Sequence, residues 1–189
     1  MVENFLDILS RYTNNISTKD RSLLNNYNQE EAVVKFIKRI NEGCLTREEN
    51  QLDHFCVYFA VHDPSKKQVF MGYHIDAGLW LFNGGHVEKG EHPRQTAERE
   101  MREELGISNY EIPQIPGLLT FSDIKSKNKL CKFHWEIWYF LAFDKDYFYP
   151  DQDRLRKEFY QAGWFSIEEA EKSVTNLSTQ KALEFLKNY

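Results

Sequence analysis

The order of elements in the sequence predicts an α+β domain layered as α/β/α, and three observations carry that reading. Residues 1 to about 50 show helical periodicity, short β-rich runs follow from His54, and a charged helical segment from Pro93 to Leu105 interrupts those runs. No internal repeat or long linker divides the chain, and its 189 residues suit one domain at roughly 100–200 residues per domain. With 41% hydrophobic and 15% aromatic residues the chain has the material for a substantial core, which excludes a disordered polypeptide.

Phe5, Leu6, Ile8 and Leu9 fall on one face of a first helix, and Val33, Val34, Phe36, Ile37 and Ile40 on one face of a second. The second carries Lys38 and Arg39 near its C-terminus and stops at Asn41-Glu42-Gly43. The runs His54–His62 and Gln68–Tyr73 flank Asp63-Pro64-Ser65-Lys66-Lys67, which has turn chemistry and predicts a hairpin. A short run from Leu79 to Phe82 leads into Asn83-Gly84-Gly85, then the helix from Pro93 closes at Gly106. Further β-like runs are Leu118–Ile124, Leu130–Phe143 and Phe159–Phe165, with a polar loop expected from Asp144 to about Arg156. Ser166, with Glu169 three residues on, and then Ser178 open two last helices.

Twenty-four basic against 29 acidic residues give a net charge of −5. With no basic block present, a nucleic-acid partner held by a bulk positive field is disfavoured. An anionic substrate must then be neutralised locally, for which a bound cation is the obvious device. The longest apolar run, Ile137–Phe143, is far short of the ~20 residues that span a bilayer. With no signal-like start either, a cytoplasmic protein without a membrane partner is expected. Cys44, Cys56 and Cys131 are odd in number and form no Cys-x-x-Cys pair, so neither a disulfide framework nor a structural zinc site is indicated and all three read as ordinary thiols. Nor do the six histidines form a metal spacing, since His86 and His92 flank the box loop without the helical i, i+4 arrangement of a zinc protease.

The chemistry concentrates between Gly85 and Ile107. On a helix, Glu100, Glu103 and Glu104 stand at i, i+3 and i+4 and share one face. Like charges so placed repel by a few tenths of a kcal/mol per pair, and they sit in the last turn, where the helix dipole prefers cations. A hard divalent ion such as Mg²⁺ removes both objections, because it takes carboxylate oxygens together with substrate phosphates. Arg99, four residues before Glu103, can orient that carboxylate while Glu91 from the preceding loop holds Arg99. The glycines ahead of the helix let backbone carbonyls approach an ion closely. A solvated acidic helix would explain the three glutamates alone, but not the whole pattern Gly85-x5-Glu91-x7-Arg99-Glu100-x-x-Glu103-Glu104-x-Gly106-Ile107.

That segment matches every fixed position of the Nudix box, and the sequence resembles the Nudix hydrolases. The resemblance implies an α/β/α sandwich around a mixed sheet over residues 51–189, with residues 1–50 as a helical extension packed on the core. It implies Mg²⁺, with Mn²⁺ as a substitute, held by Glu100, Glu103, Glu104 and the carbonyl of Gly84. Arg99 and Glu91 correspond to the orienting pair, Glu103 or Glu100 to the base that takes a proton from the attacking water, and Glu158, with Asp151 or Asp153 as alternatives, to an acid outside the box that assists. The implied reaction is hydrolysis of a diphosphate bond in a nucleoside diphosphate-linked small molecule, foremost a nucleoside triphosphate. ADP-ribose or a nucleotide sugar is the alternative, and a non-catalytic nucleotide sensor a further one. Ser122 and Ile124 stand where some subgroups carry a marker residue, so the substrate subclass stays open. Many relatives are dimers, which makes a homodimer an expectation here.

His86, beside the glycine turn, is a candidate for touching phosphate. Tyr147 and Phe148, apolar rings in an otherwise polar loop, are candidates for covering substrate. The tryptophans and Phe82 read as core, since alternation along strands buries one face.

Overall fold

A computed structural model describes residues 1–18, 29–124 and 130–188. Helices α1 (Val2–Thr18) and α2 (Gln29–Asn41) precede β1 (Asp53–Asp63), β2 (Gln68–His74), β3 (Leu79–Leu81) and β4 (Asn83–His86). Then come α3 (Pro93–Leu105), β5 (Leu118–Asp123), β6 (Phe133–Ala142), a 3-10 turn at Lys145–Tyr147, α4 (Gln152–Glu158), β7 (Phe159–Ser166), α5 (Ile167–Ser173) and α6 (Leu177–Lys187).

The seven strands form one mixed sheet in which β3, β2, β1, β6 and β5 lie in order, with β4 paired to β1 and β7 to β2. β1 and β6 run parallel, and the other pairings are antiparallel. β1 is the axis: its far end continues into the hairpin with β2 through Val61↔Phe70, while Cys56–Phe59 pair with β4. β4 is thereby held beside the middle of the sheet, where the helix that follows it must cross.

Both faces are covered, and the period of two along each strand sorts its residues between them. Phe55, Val57, Phe59 and Val61 of β1 and Ile137, Tyr139 and Leu141 of β6 join one buried cluster with Phe5, Leu9, Phe36 and Ile40 of the first two helices and Ala97, Met101 and Leu105 of α3. Ala60 of β1 and Trp138 and Phe140 of β6 face the other way, onto Ile167, Ala170, Ala182, Leu183 and Leu186 of α5 and α6. Gln29 at the start of α2 ties the first helices to the sheet. Its Oε1 accepts from Leu119 N at 3.1 Å and from Tyr12 Oη at 2.6 Å, and its Nε2 donates to Leu119 O.

The structure departs from expectation after β6. The stretch read as a polar loop contains α4, capped by Asp151, whose side chain accepts from the amides of Asp153 and Arg154. Only Leu155 of that helix is buried, so periodicity offers little sign of it. The last helix is capped by Asn176, which accepts from Thr179 N, and Ser178 lies inside it. Phe148 does not line a binding surface. It is 5% exposed and packs edge-on against Phe70, Phe143 and Trp164, so burial accounts for an apolar ring in this loop. Tyr147 is 78% exposed and lies in the 3-10 turn whose Lys145 amide donates to Asp63, at the hairpin end of β1. No helix among the described residues is long and apolar enough to cross a membrane.

Candidate active site

α3 begins at a capping box in which His92 Nδ1 accepts from Arg94 N and Gln95 Oε1 accepts from His92 N, with Pro93 in the first turn. It ends at Gly106, which adopts the left-handed conformation (φ 72°) that glycine tolerates without a Cβ clash. α4 docks on that end: Asp151 N donates to Leu105 O, and Arg154 Nη1 donates to Arg102 O at 2.9 Å, satisfying carbonyls of the last turn. The same docking carries Glu158, at the end of α4, to the glutamate face. Its charge raises the pKa of both Glu100 and Glu104.

Arg99 organises the box. Nε and Nη2 donate to the two oxygens of Glu91 at 2.8 and 3.2 Å, Nη1 donates to Glu100 at 2.7 Å and Glu103 at 3.2 Å, and Nη2 also donates to the carbonyl of His86 at 3.0 Å. Thr96 Oγ1 and Glu88 N complete the hold on Glu91. Burial works to raise the Glu91 pKa, but Arg99 and Thr96 outweigh it, and the carboxylate is held ionised. Burial raises the pKa of Glu100, Arg99 pulls it back, and the charges of Glu103 and Glu158 push it up again.

Glu104 is 6% exposed and accepts from Asn83 Nδ2 at 2.8 Å and Gly84 N at 3.2 Å. Burial pushes its pKa up to about 8, with the charges of Glu100 and Glu158 adding to the effect against the Asn83 and Gly84 donors. Glu91, Glu100 and Glu103 therefore share Arg99, while Glu104 accepts from neutral donors. Such a set of hard oxygen donors fits a divalent cation of the Mg²⁺ class.

β4 is the wall between these glutamates and a cavity of about 760 Å³. Asn83 and Gly85 meet α3, where a Cβ on Gly85 would lie 1.9 Å from Glu100 Oε1. Gly84 and His86 line the cavity with Tyr58, Phe121, Glu136 and Trp138. Gly84 has φ 147°, and a Cβ there would meet Val57 O at 2.2 Å, so glycine is required on both counts. Tyr58 and Trp138 stack at 4.8 Å, while the buried Glu136 accepts from Ser122 Oγ at 2.6 Å and from Thr120.

The structure thus brings Gly84, Glu91, Arg99, Glu100, Glu103, Glu104 and Glu158 together and leaves Tyr147 and Phe148 elsewhere. The imidazole of His86 lies against His54 and His134, with ring centres 4.8 and 5.2 Å away. The reading of the sequence missed Asn83, whose only linear signal is its place before the glycine pair. It also missed the convergence of His54, Cys56, His86 and His134, which come from three strands.

The NUDIX domain model matches residues 53–186, and the chain belongs to that family. Over 31 residues it is 64% identical to the CTP pyrophosphohydrolase of Escherichia coli (strain K12); that match takes in 16% of this chain and 23% of the relative's length. The fold is similar to that of the E. coli dihydroneopterin triphosphate pyrophosphohydrolase (TM-score 0.56, 21% identity, 71% of this chain and 96% of that one). It is also similar to a MutT NUDIX hydrolase from Burkholderia pseudomallei (TM-score 0.54, 19% identity, 70% and 96%) and to the C. elegans Ap4A hydrolase (0.53, 18%, 71% and 96%).

Proposed function

We propose that this chain is a cytoplasmic, Mg²⁺-dependent pyrophosphohydrolase of nucleoside triphosphates. The observation that carries the reading is the placement of a partly aromatic cavity and a glutamate cluster on opposite sides of β4, with only the glycine turn between them. A nucleoside seated against Tyr58 and Phe121 sends its phosphates past Gly84 and Gly85 toward α3. The named activities of the E. coli CTP pyrophosphohydrolase and of the dihydroneopterin triphosphate enzyme favour a triphosphate over ADP-ribose or a nucleotide sugar. The free thiols of Cys44, Cys56 and Cys131 suit a reducing compartment.

Glu100, Glu103 and Glu104, with the carbonyl of Gly84, would hold Mg²⁺. When bound, the ion neutralises phosphate charge, lowers the pKa of water and stabilises the leaving oxygen. Glu103 or Glu100 takes the proton of the attacking water, assisted by Glu158. Arg99 fixes where both glutamates point, and Glu91 fixes Arg99. Asn83 and the Gly84 amide keep the Glu104 carboxyl turned toward the glycine turn.

Chromatographic product analysis over nucleoside triphosphates, ADP-ribose, nucleotide sugars and dinucleoside polyphosphates, with Mg²⁺ and with Mn²⁺, tests this. Metal-dependent turnover concentrated in the triphosphates is expected. Turnover of ADP-ribose or nucleotide sugars instead would replace the substrate, and stabilisation by nucleotides without any turnover would make the chain a sensor.

A further inference from the structure

The side chains of His54, Cys56, His86 and His134 converge on one point that the proposed hydrolytic reaction does not use. His54 and Cys56 are two apart on β1 and so share a face; His54 stands directly opposite His134 of β6, and Cys56 directly opposite His86 of β4. One ligand atom from each of the four lies within 4.8 Å of the other three. The three imidazole centres are 4.8, 5.1 and 5.2 Å apart. Imidazoles sharing one tetrahedral ion through nitrogens at about 2.0–2.1 Å have ring centres roughly 5 Å apart.

His54 adds an independent observation. It is fully buried, and its Nδ1 lies 2.9 Å from the carbonyl of Asn50, which can only accept, so Nδ1 carries the proton. Nε2 is then a bare lone pair, buried and without a hydrogen-bond partner. An orphaned acceptor of this kind is unfavourable to bury unless something binds it. An imidazole whose far nitrogen is fixed by a backbone carbonyl while the near one is free is the usual arrangement of a metal-ligating histidine.

We propose that His54, Cys56, His86 and His134 form a tetrahedral site for a zinc-class transition ion, separate from the carboxylate site on α3. Nitrogen and sulfur donors select zinc over magnesium. Four protein ligands leave no open position, which marks a structural rather than a catalytic ion. Tetrahedral edges of roughly 3.3–3.7 Å follow from zinc bond lengths of 2.0–2.3 Å, so the widest pair closes by about 1 Å on binding, within the reach of side-chain rotation. The ion cross-links β4, β1 and β6. Because the His86 carbonyl holds Arg99, it also braces the strand against which the box is aligned.

The test uses the full, tag-free chain, purified without chelator and dialysed, with bound metal counted by elemental mass spectrometry. One tightly held zinc per chain is expected. After its removal, Co²⁺ should give a thiolate-to-metal charge-transfer band together with the strong visible absorption of tetrahedral cobalt. Cys56→Ser should abolish that band, and His134→Ala should weaken zinc binding at least about a hundredfold, beyond the tenfold to hundredfold typical of an outer-shell loss. Glu103→Gln/Glu104→Gln should retain both the zinc and the band, so the outcome is independent of the hydrolytic reading. Absence of stoichiometric zinc with no cobalt band in the native sequence overturns the proposal whatever the variants do. A band that survives Cys56→Ser overturns the ligand set.

Discussion

Arg99 and Glu91 form a two-pronged ion pair across eight residues of chain, Nε to Oε1 at 2.8 Å and Nη2 to Oε2 at 3.2 Å, so a residue of the loop before α3 sets the direction of a guanidinium on the helix. The remaining donor, Nη1, then reaches Glu100 and Glu103 together. Lysine keeps the charge but not the fork. Arg99→Lys should therefore lower kcat about 10–100-fold, the range typical of groups that orient metal ligands, and raise the Mg²⁺ concentration giving half-maximal rate. Steady-state rates over a Mg²⁺ titration check both. An unchanged Mg²⁺ requirement would show that Arg99 does not position the glutamates.

Gly85 offers a steric test of the same geometry. An added methyl group meets Glu100 Oε1 at 1.9 Å and Cδ at 2.5 Å, so Gly85→Ala must displace that side chain. We expect turnover to fall by at least about tenfold, by analogy with lost ligand orientation, while circular dichroism stays native. Gly163→Ala, where a Cβ has nothing within 4 Å, is the matched control and should leave rates unchanged.

The box was legible because its spacing is local: helix periodicity alone puts Glu100, Glu103 and Glu104 on one face. The strands were legible where β-rich runs ended in turn residues, as at Asp63–Lys67. What stayed hidden depends on register. That Cys56 faces His86 and His54 faces His134 follows only from how β4 and β6 are laid against β1. α4 was hidden because seven residues with one buried side chain give no periodicity, and the role of Phe148 because its partners Phe70 and Trp164 are remote in sequence.

Helices α1 and α2 share their core with the sheet, so we expect residues 51–189 alone not to fold stably. Removal uncovers Phe55, which contacts Phe5 and Phe36, and Trp135, which contacts Phe36. A milder version is Gln29→Leu. It strips partners from Leu119 and from the Tyr12 hydroxyl, and should cost roughly 2–4 kcal/mol for two or more buried groups left unsatisfied. Urea unfolding measures it, and a loss near zero would mean that α2 is not integral to the fold.

His62 and Asp63 each contribute stability that acid removes. Burial lowers the His62 pKa from 6.5 to about 4. Between those values the unfolded chain binds a proton that the folded chain does not, so stability present above pH 6.5 is lost as pH falls toward about 4. Asp63 is 1% exposed; burial works to raise its pKa, but donors from Ser65, Lys66 and Lys145 win and take it from 3.8 to about 2. Its contribution is complete above 3.8 and is lost as pH falls toward about 2. Glu104, whose pKa is raised from 4.5 to about 8, acts in the opposite sense and adds stability as pH falls between those values. The His62 part is therefore read as a larger gain in urea midpoint from pH 7 to 5 in His62→Leu than in the native chain, and the Asp63 part as a loss from pH 5 to 3. In Asp63→Asn the decline below pH 4 should be shallower, and an unchanged profile in that variant would contradict the assignment.

The central claim is that the glutamates of α3 carry metal-dependent hydrolysis of a triphosphate. The most direct measurement is product analysis of a nucleoside triphosphate incubated with Mg²⁺ and either the native chain or Glu103→Gln/Glu104→Gln. The account predicts nucleoside monophosphate and pyrophosphate in equal amounts from the native chain, none without metal, and a loss of several orders of magnitude in the folded double variant. Equal turnover by that variant, or the same products in the presence of excess chelator, would contradict it.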